Sequence, residues 1–329
     1  MNTIKCNPLL LTSMLVLFSS RLYAVEVPLV SVGSPENTPD VLADFREVGG
    51  VDYSYQIGQF EITYSQYIEF LNSVAKTDTY GLFDNIRLYD TPSPGGLDRR
   101  GEEGQYEYFL RDNDEAWANR PVGGVNLLQA MRFANWMHNG QPQGNQDPST
   151  TEDGSYTLNG MVITGLDEFD VSRNPDATWV IPTEDEWYKA AYYDPVTDYY
   201  FQFATGSDTI SCLTDANCDR DDVVQHYYTT EVGSFVDYPS PWGTFDQQGN
   251  LWEWTETMVD TRLAILRGGW FWSLCDKNCY QSKPAGDNDL DDDAATFRLA
   301  FVPEPNFSVL PCLVFVCFVI QLRRSIRTK

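Results

Sequence analysis

Ile181-Pro182-Thr183-Glu184-Asp185-Glu186-Trp187 and Trp242-Gly243-Thr244-Phe245-Asp246-Gln247-Gln248-Gly249-Asn250-Leu251-Trp252-Glu253-Trp254 decide the reading of this chain. In the first, Pro182-Thr183 opens a helix whose first turn carries acids, which suit the positive end of a helix dipole. In the second, Gly243 and Gly249 permit turns, and Trp252 and Trp254 are large apolar anchors with an indole N–H to satisfy. Trp187 is an anchor of the same kind.

Outward from these blocks, further short aromatic and glycine-rich words follow in order. Phe60-Glu61-Ile62-Thr63 is followed by Gln66-Tyr67 and Phe70, then by Arg120-Pro121-Val122, Asn126, Ala130 and Trp136. Val232-Gly233-Ser234, Arg267-Gly268-Gly269 and Phe297-Arg298 complete the series. Between them the spacing predicts a strand over 53–60, a helix over 66–74 capped by Ser65, a helix over 127–137 stopped by Gly140, and a helix over 184–193. We expect a short strand over 179–181, a hairpin around 156–163, long loops over 76–119 and 139–175, and turns with short strands from residue 200 on. Few regular elements among many loops describe an irregular α+β domain.

In content and order the series resembles the sulfatase-modifying factor (formylglycine-generating enzyme) family over residues 45–302. The resemblance implies an irregular, C-type-lectin-like fold. It also implies a calcium site formed by the side chains of Asp246 and Glu253 and the carbonyls of Gly249 and Leu251. Carboxylates beside turn carbonyls are what a hard cation needs. In the enzymes of this family two cysteine thiolates soon after R-G-G-S hold Cu(I), a soft ion that thiolates suit. The matching candidates here are Cys275 and Cys279. This chain departs from the family wording: Trp270 follows Arg267-Gly268-Gly269, only three residues separate the two cysteines, and Gln281-Ser282-Lys283-Pro284 replaces the basic text. Cys275 and Cys279 are therefore either a copper site, a disulfide closing a short loop, or partners of Cys212 and Cys218. Cys212 and Cys218 themselves read as a local disulfide.

The ends of the chain have a different character. Residues 1–24 read as a secretory signal, with Lys5, an apolar stretch over 9–18 and Leu22-Tyr23-Ala24 as the cleavage site. Residues 25–44 form a lead-in to the domain. Pro303-Glu304-Pro305, an apolar run over 307–322 and Arg323-Arg324 follow it. Sixteen residues of helix span about 24 Å, slightly short of a hydrocarbon core. The order of these features over 303–329 resembles the PEP-CTERM sorting signal, which implies an exosortase-type partner, a stay in the inner membrane and a final place at the surface or outside the cell.

Charge and residue usage exclude several classes. Residues 25–302 carry 16 Lys and Arg against 47 Asp and Glu, a net charge of −31. Such a domain repels nucleic acid. The 18 Phe, 19 Tyr and 9 Trp argue for a packed core rather than disorder. With only two histidines, His138 and His226, the composition argues against a His-based metal site or a Ser-His-Asp triad, and His138 fits a helix C-terminus. We expect a non-catalytic binding or structural module, stabilised by calcium, that recognises a surface polysaccharide or a protein. The alternative is a copper-dependent formylglycine-generating oxidase.

Overall fold

The computed structural model describes residues 24–83, 95–162, 168–219, 227–284 and 295–302. The stretches expected to be a secretory signal (apart from Ala24) and a sorting signal, His226 and the acidic run 287–293 lie outside the described residues. In chain order the elements are β1 (Leu29–Val32), β2 (Asp40–Val41), β3 (Glu47–Val48), β4 (Tyr55–Gly58), α1 (Tyr64–Val74), β5 (Leu97–Arg100) and β6 (Glu107–Leu110). They continue with α2 (Leu127–His138), β7 (Trp179–Val180), α3 (Glu184–Tyr192), β8 (Tyr193–Asp194) and β9 (Tyr199–Tyr200). The last are β10 (Trp252–Met258), β11 (Leu263–Arg267), β12 (Tyr280–Pro284), β13 (Ala295–Thr296) and β14 (Ala300–Phe301). Among the described residues, small sheets and three α-helices make the expected α+β architecture.

Each α-helix begins with the same device. Thr63 and Gln66, Asn126 and Gln129, and Thr183 and Glu186 form reciprocal capping boxes, so two orphan N–H groups are satisfied at every start. Thr63, rather than Ser65, therefore caps α1, because only Thr63 has a side-chain acceptor three residues ahead of it. The apolar faces of α1 and α2 meet in one aromatic core, where Phe133 packs on Tyr67, Phe70, Trp136 and Phe297 with ring centroids 5.1–6.1 Å apart. Arg132 of α2 enters that core paired with Glu152, with N–O distances of 2.7 and 3.0 Å.

Two sheets frame the molecule. The first has the order β1-β4-β14-β7 and joins the lead-in to the end of the domain. The second has the order β12-β11-β10-β13, antiparallel except for the β10–β13 pair. The lead-in over 25–44 is thus part of the fold, through β1 and β2.

Three expectations change. The stretch 76–119 contains the hairpin β5–β6, which buries Leu97 and Tyr108 and exposes the Arg100–Glu107 ion pair. In place of a hairpin over 156–163, Tyr156 bridges to Arg173. Among the described residues beyond 200, β10 and β11 run for seven and five residues. The glycine-rich words around them had read as turns.

Candidate functional site

The signature block 242–254 folds as a turn feeding β10. Asp246, Gly249 and Asn250 all take positive φ, +62°, +79° and +59°. Gly249 has no alternative: a Cβ there would lie 2.2 Å from the Asn217 carbonyl oxygen. From this turn Glu253 enters β10 with its carboxylate fully buried. Arg298 meets it side-on through Nε at 2.5 Å and Nη2 at 2.6 Å, and Trp187 Nε1 donates to the same carboxylate at 2.8 Å. The remaining Arg298 donors reach the carbonyls of Gly58 and Phe245 at 2.9 Å each. Trp254 Nε1 donates to the Val125 carbonyl, whereas Trp252 Nε1 is buried without a partner. Thus the block's tryptophans serve the core.

Asp246 and Glu61 lie beside this pair. Asp246 accepts the Gly233 N–H at 2.6 Å, and Glu61 accepts from Asn250 Nδ2 at 3.2 Å while its other oxygen is buried without a partner. Burial, reinforced by the charge of Glu253, pushes the Asp246 carboxyl up to about 6. Burial and the charges of Asp246 and Glu253 likewise hold Glu61 far above the usual carboxylate range. The four expected calcium ligands therefore share one turn but do not fit as a set. Both Glu253 oxygens are committed to Arg298 and Trp187, so an internal guanidinium stands where a cation was expected. Among the described residues no group of three or more His, Cys, Asp or Glu side chains could hold a metal ion.

The sulfur site lies at the end of β11. Cys275 and Cys279 are joined in a disulfide with Cα atoms 5.2 Å apart, and Cys212 and Cys218 form the second disulfide, 5.1 Å apart. Both pairings are local, so the cross-pairing of the two sets is excluded. The 275–279 loop is gripped through its backbone. Arg267, fully buried and paired with Glu184, donates Nη1 to the carbonyls of Lys277 and Cys279 at 3.0 and 3.1 Å. Gln248 Nε2 donates to the Cys275 carbonyl, and Lys277 Nζ pairs with Asp40 at 2.8 Å. A cleft of about 410 Å³ opens here, lined by Phe203, Leu274, Cys275, Asp276, Asn278 and Cys279. Leu274 on its rim is 56 % exposed. With both sulfurs in one S–S bond, the pair as it stands does not fit a thiolate-bound copper ion.

Sequence reasoning named both cysteines but not what positions them. Arg267, Gln248 and Arg298 appeared only as letters of motifs. A buried arginine in an acidic domain was the signal that a carboxylate partner had to be found. His138 places Nδ1 2.8 Å from Thr178 Oγ1 at the end of α2, in keeping with a structural role.

The fold has solved counterparts. The crystal structure of CarF superposes with a TM-score of 0.52 at 21% identity, over 84% of this chain and 99% of that one. Treponema denticola variable protein 1 gives 0.54 at 17% identity, over 85% and 96%. At these identities the likeness speaks for the fold alone. No curated protein sequence matches. The sulfatase-modifying factor enzyme 1-like domain matches residues 47–301, well over half of the sequence, and the chain belongs to that family.

Proposed function

We propose that this protein is a non-catalytic binding or structural module of the sulfatase-modifying factor family, displayed outside the cytoplasm. The observation that carries this reading is the disulfide between Cys275 and Cys279, which takes both sulfurs out of service as copper ligands. Two disulfides in one domain also suit an oxidising compartment. The cleft beside Leu274 offers a surface polysaccharide or a partner protein a mainly apolar lining with Asp276 and Asn278 as its polar groups. Recognition there needs no thiolate. The secretory and sorting segments would bring the domain to the inner membrane, and an exosortase-type partner would release it to the surface.

The sulfur pair beside Arg267-Gly268-Gly269 keeps one second reading specific: a copper-dependent oxidase that works only after reduction. A peptide of the form Cys-x-Pro-x-Arg, supplied with Cu(I), O₂ and a thiol reductant, separates the two. The module should leave the peptide thiol intact. An aldehyde product that disappears in Cys275→Ser would establish the oxidase.

A further inference from the structure

The Cys212–Cys218 disulfide lies outside the cleft, yet it braces the turn on which the cleft rests. Its seven-residue loop is stiffened from within, since Leu213 N donates to the Ala216 carbonyl and Ser211 N to Asp215 Oδ2. Cys218 is fully buried, whereas Cys212 is only partly so. Asn217, next to Cys218 in the chain, is itself buried, and its backbone and its side chain both lead toward the second disulfide. Along the backbone route, Asn250 N donates to the Asn217 carbonyl at 2.8 Å, and Gly249 pairs with Asn217 as a parallel bridge. The next residues reach the cleft directly, because Phe271 N donates to the Asn250 carbonyl and Gln248 Nε2 to that of Cys275. Along the side-chain route, Asn217 Nδ2 donates to the Tyr228 carbonyl at 3.0 Å. The Tyr228 ring stacks on Phe271 at 5.1 Å and meets Trp272 edge-on at 5.2 Å, three residues before Cys275.

We propose that the Cys212–Cys218 disulfide is a redox-sensitive strut for the Cys275–Cys279 cleft: reducing the first loosens the second. Opening the strut consumes one dithiol. A thiolate attacks a sulfur of the pair, the second thiol of the same reductant displaces the mixed disulfide, and two cysteine thiols and one cyclic disulfide result. Freed of its cross-link, the 212–218 loop loses its hold on Asn217, and the Gly249–Asn250 turn loses the carbonyl that fixes it. The Cys275–Cys279 bond then becomes more open to attack, because exchange rates depend on access as well as on thiol chemistry. This inference holds whether the cleft binds a ligand or a metal.

The test is a timed reduction of the full-length protein with dithiothreitol, quenched with iodoacetamide and read by peptide mass spectrometry for each cysteine pair. In Cys212→Ser/Cys218→Ser the Cys275–Cys279 pair should open about 3- to 10-fold faster than in the wild type, the range expected of coupling through a packed network. Asn217→Ala keeps the cross-link and the carbonyl bond to Asn250 N but removes the side-chain bonds to the Tyr228 carbonyl and to Asn250 Oδ1, so it should give a smaller acceleration. Amide exchange at Asn250 and Phe271 should rise in both variants, while exchange in α2 stays unchanged. Equal reduction rates in a folded double variant would overturn the proposal. Should the double variant lose its near-ultraviolet signal, Asn217→Ala decides: acceleration upholds the strut and an unchanged rate sinks it.

Discussion

The core beneath the Gly249–Trp254 turn and the Cys275–Cys279 loop stand on adjoining strands, yet they are held in opposite ways. In the core, side chains lock side chains: Glu253 is met by Arg298 and Trp187, and every atom of the trio is out of water. At the loop, buried side chains from elsewhere hold backbone carbonyls, as Arg267 and Gln248 do for Lys277, Cys279 and Cys275. A carbonyl is present whatever the residue. The loop can therefore change its letters and keep its shape, while the core cannot. This difference explains how a family framework persists beside a divergent cysteine segment.

The contrast breaks most visibly at Arg298. Arg298→Ala leaves Glu253 buried and unpaired, and should cost about 3–5 kcal/mol in urea unfolding. A loss under 1 kcal/mol would show that the core is not locked by side-chain pairing. Next comes Gly249→Ala, which forces a Cβ against the Asn217 carbonyl at a positive φ. It should cost about 2–3 kcal/mol, and thermal melting measures it. On the loop side, Gln248→Ala removes one bond to the Cys275 carbonyl. About 1 kcal/mol should be lost, with increased amide exchange confined to 270–279; exchange spread through the core would blur the two regions into one.

The last effect concerns pH. The fold favours Asp246 in its protonated form, since its carboxyl is raised to about 6. Its contribution supports the folded state below the ordinary carboxylate value of about 4 and is lost as pH climbs through 6. Asp246→Asn keeps an acceptor for Gly233 N–H and tolerates the left-handed backbone. Its stability should decline less between pH 4 and 6 than that of the wild type, and parallel curves would contradict the assignment.

Much of the fold was legible because its words are local. The helix over 127–138 and the acidic start of α3 follow from periodicity and capping, which a short window contains. The cap of α1 was missed by two residues, since Ser65 is a good cap by type but only Thr63 has Gln66 three residues on. The β5–β6 hairpin hid because its four-residue strands set Asp98 and Arg99 against aromatic partners and leave no clear alternation. At the site, spacing alone could name Cys275, Cys279, Asp246 and Glu253. It could not show that Arg298, forty-five residues beyond Glu253, fills the place beside that carboxylate, nor that Arg267 and Gln248 hold the loop by its carbonyls. Such pairings arise from strand order, with β10 between β11 and β13, and no window of sequence contains that order.

Sulfur bookkeeping on the full-length protein tests the central claim most directly. Protein recovered without reductant would be denatured, labelled with a maleimide and mapped by peptide. Cys212, Cys218, Cys275 and Cys279 should all escape the label, as expected of two closed disulfides. Labelling of both Cys275 and Cys279 would restore a free thiolate pair beside Arg267 and contradict the reading of this cleft as a binding surface.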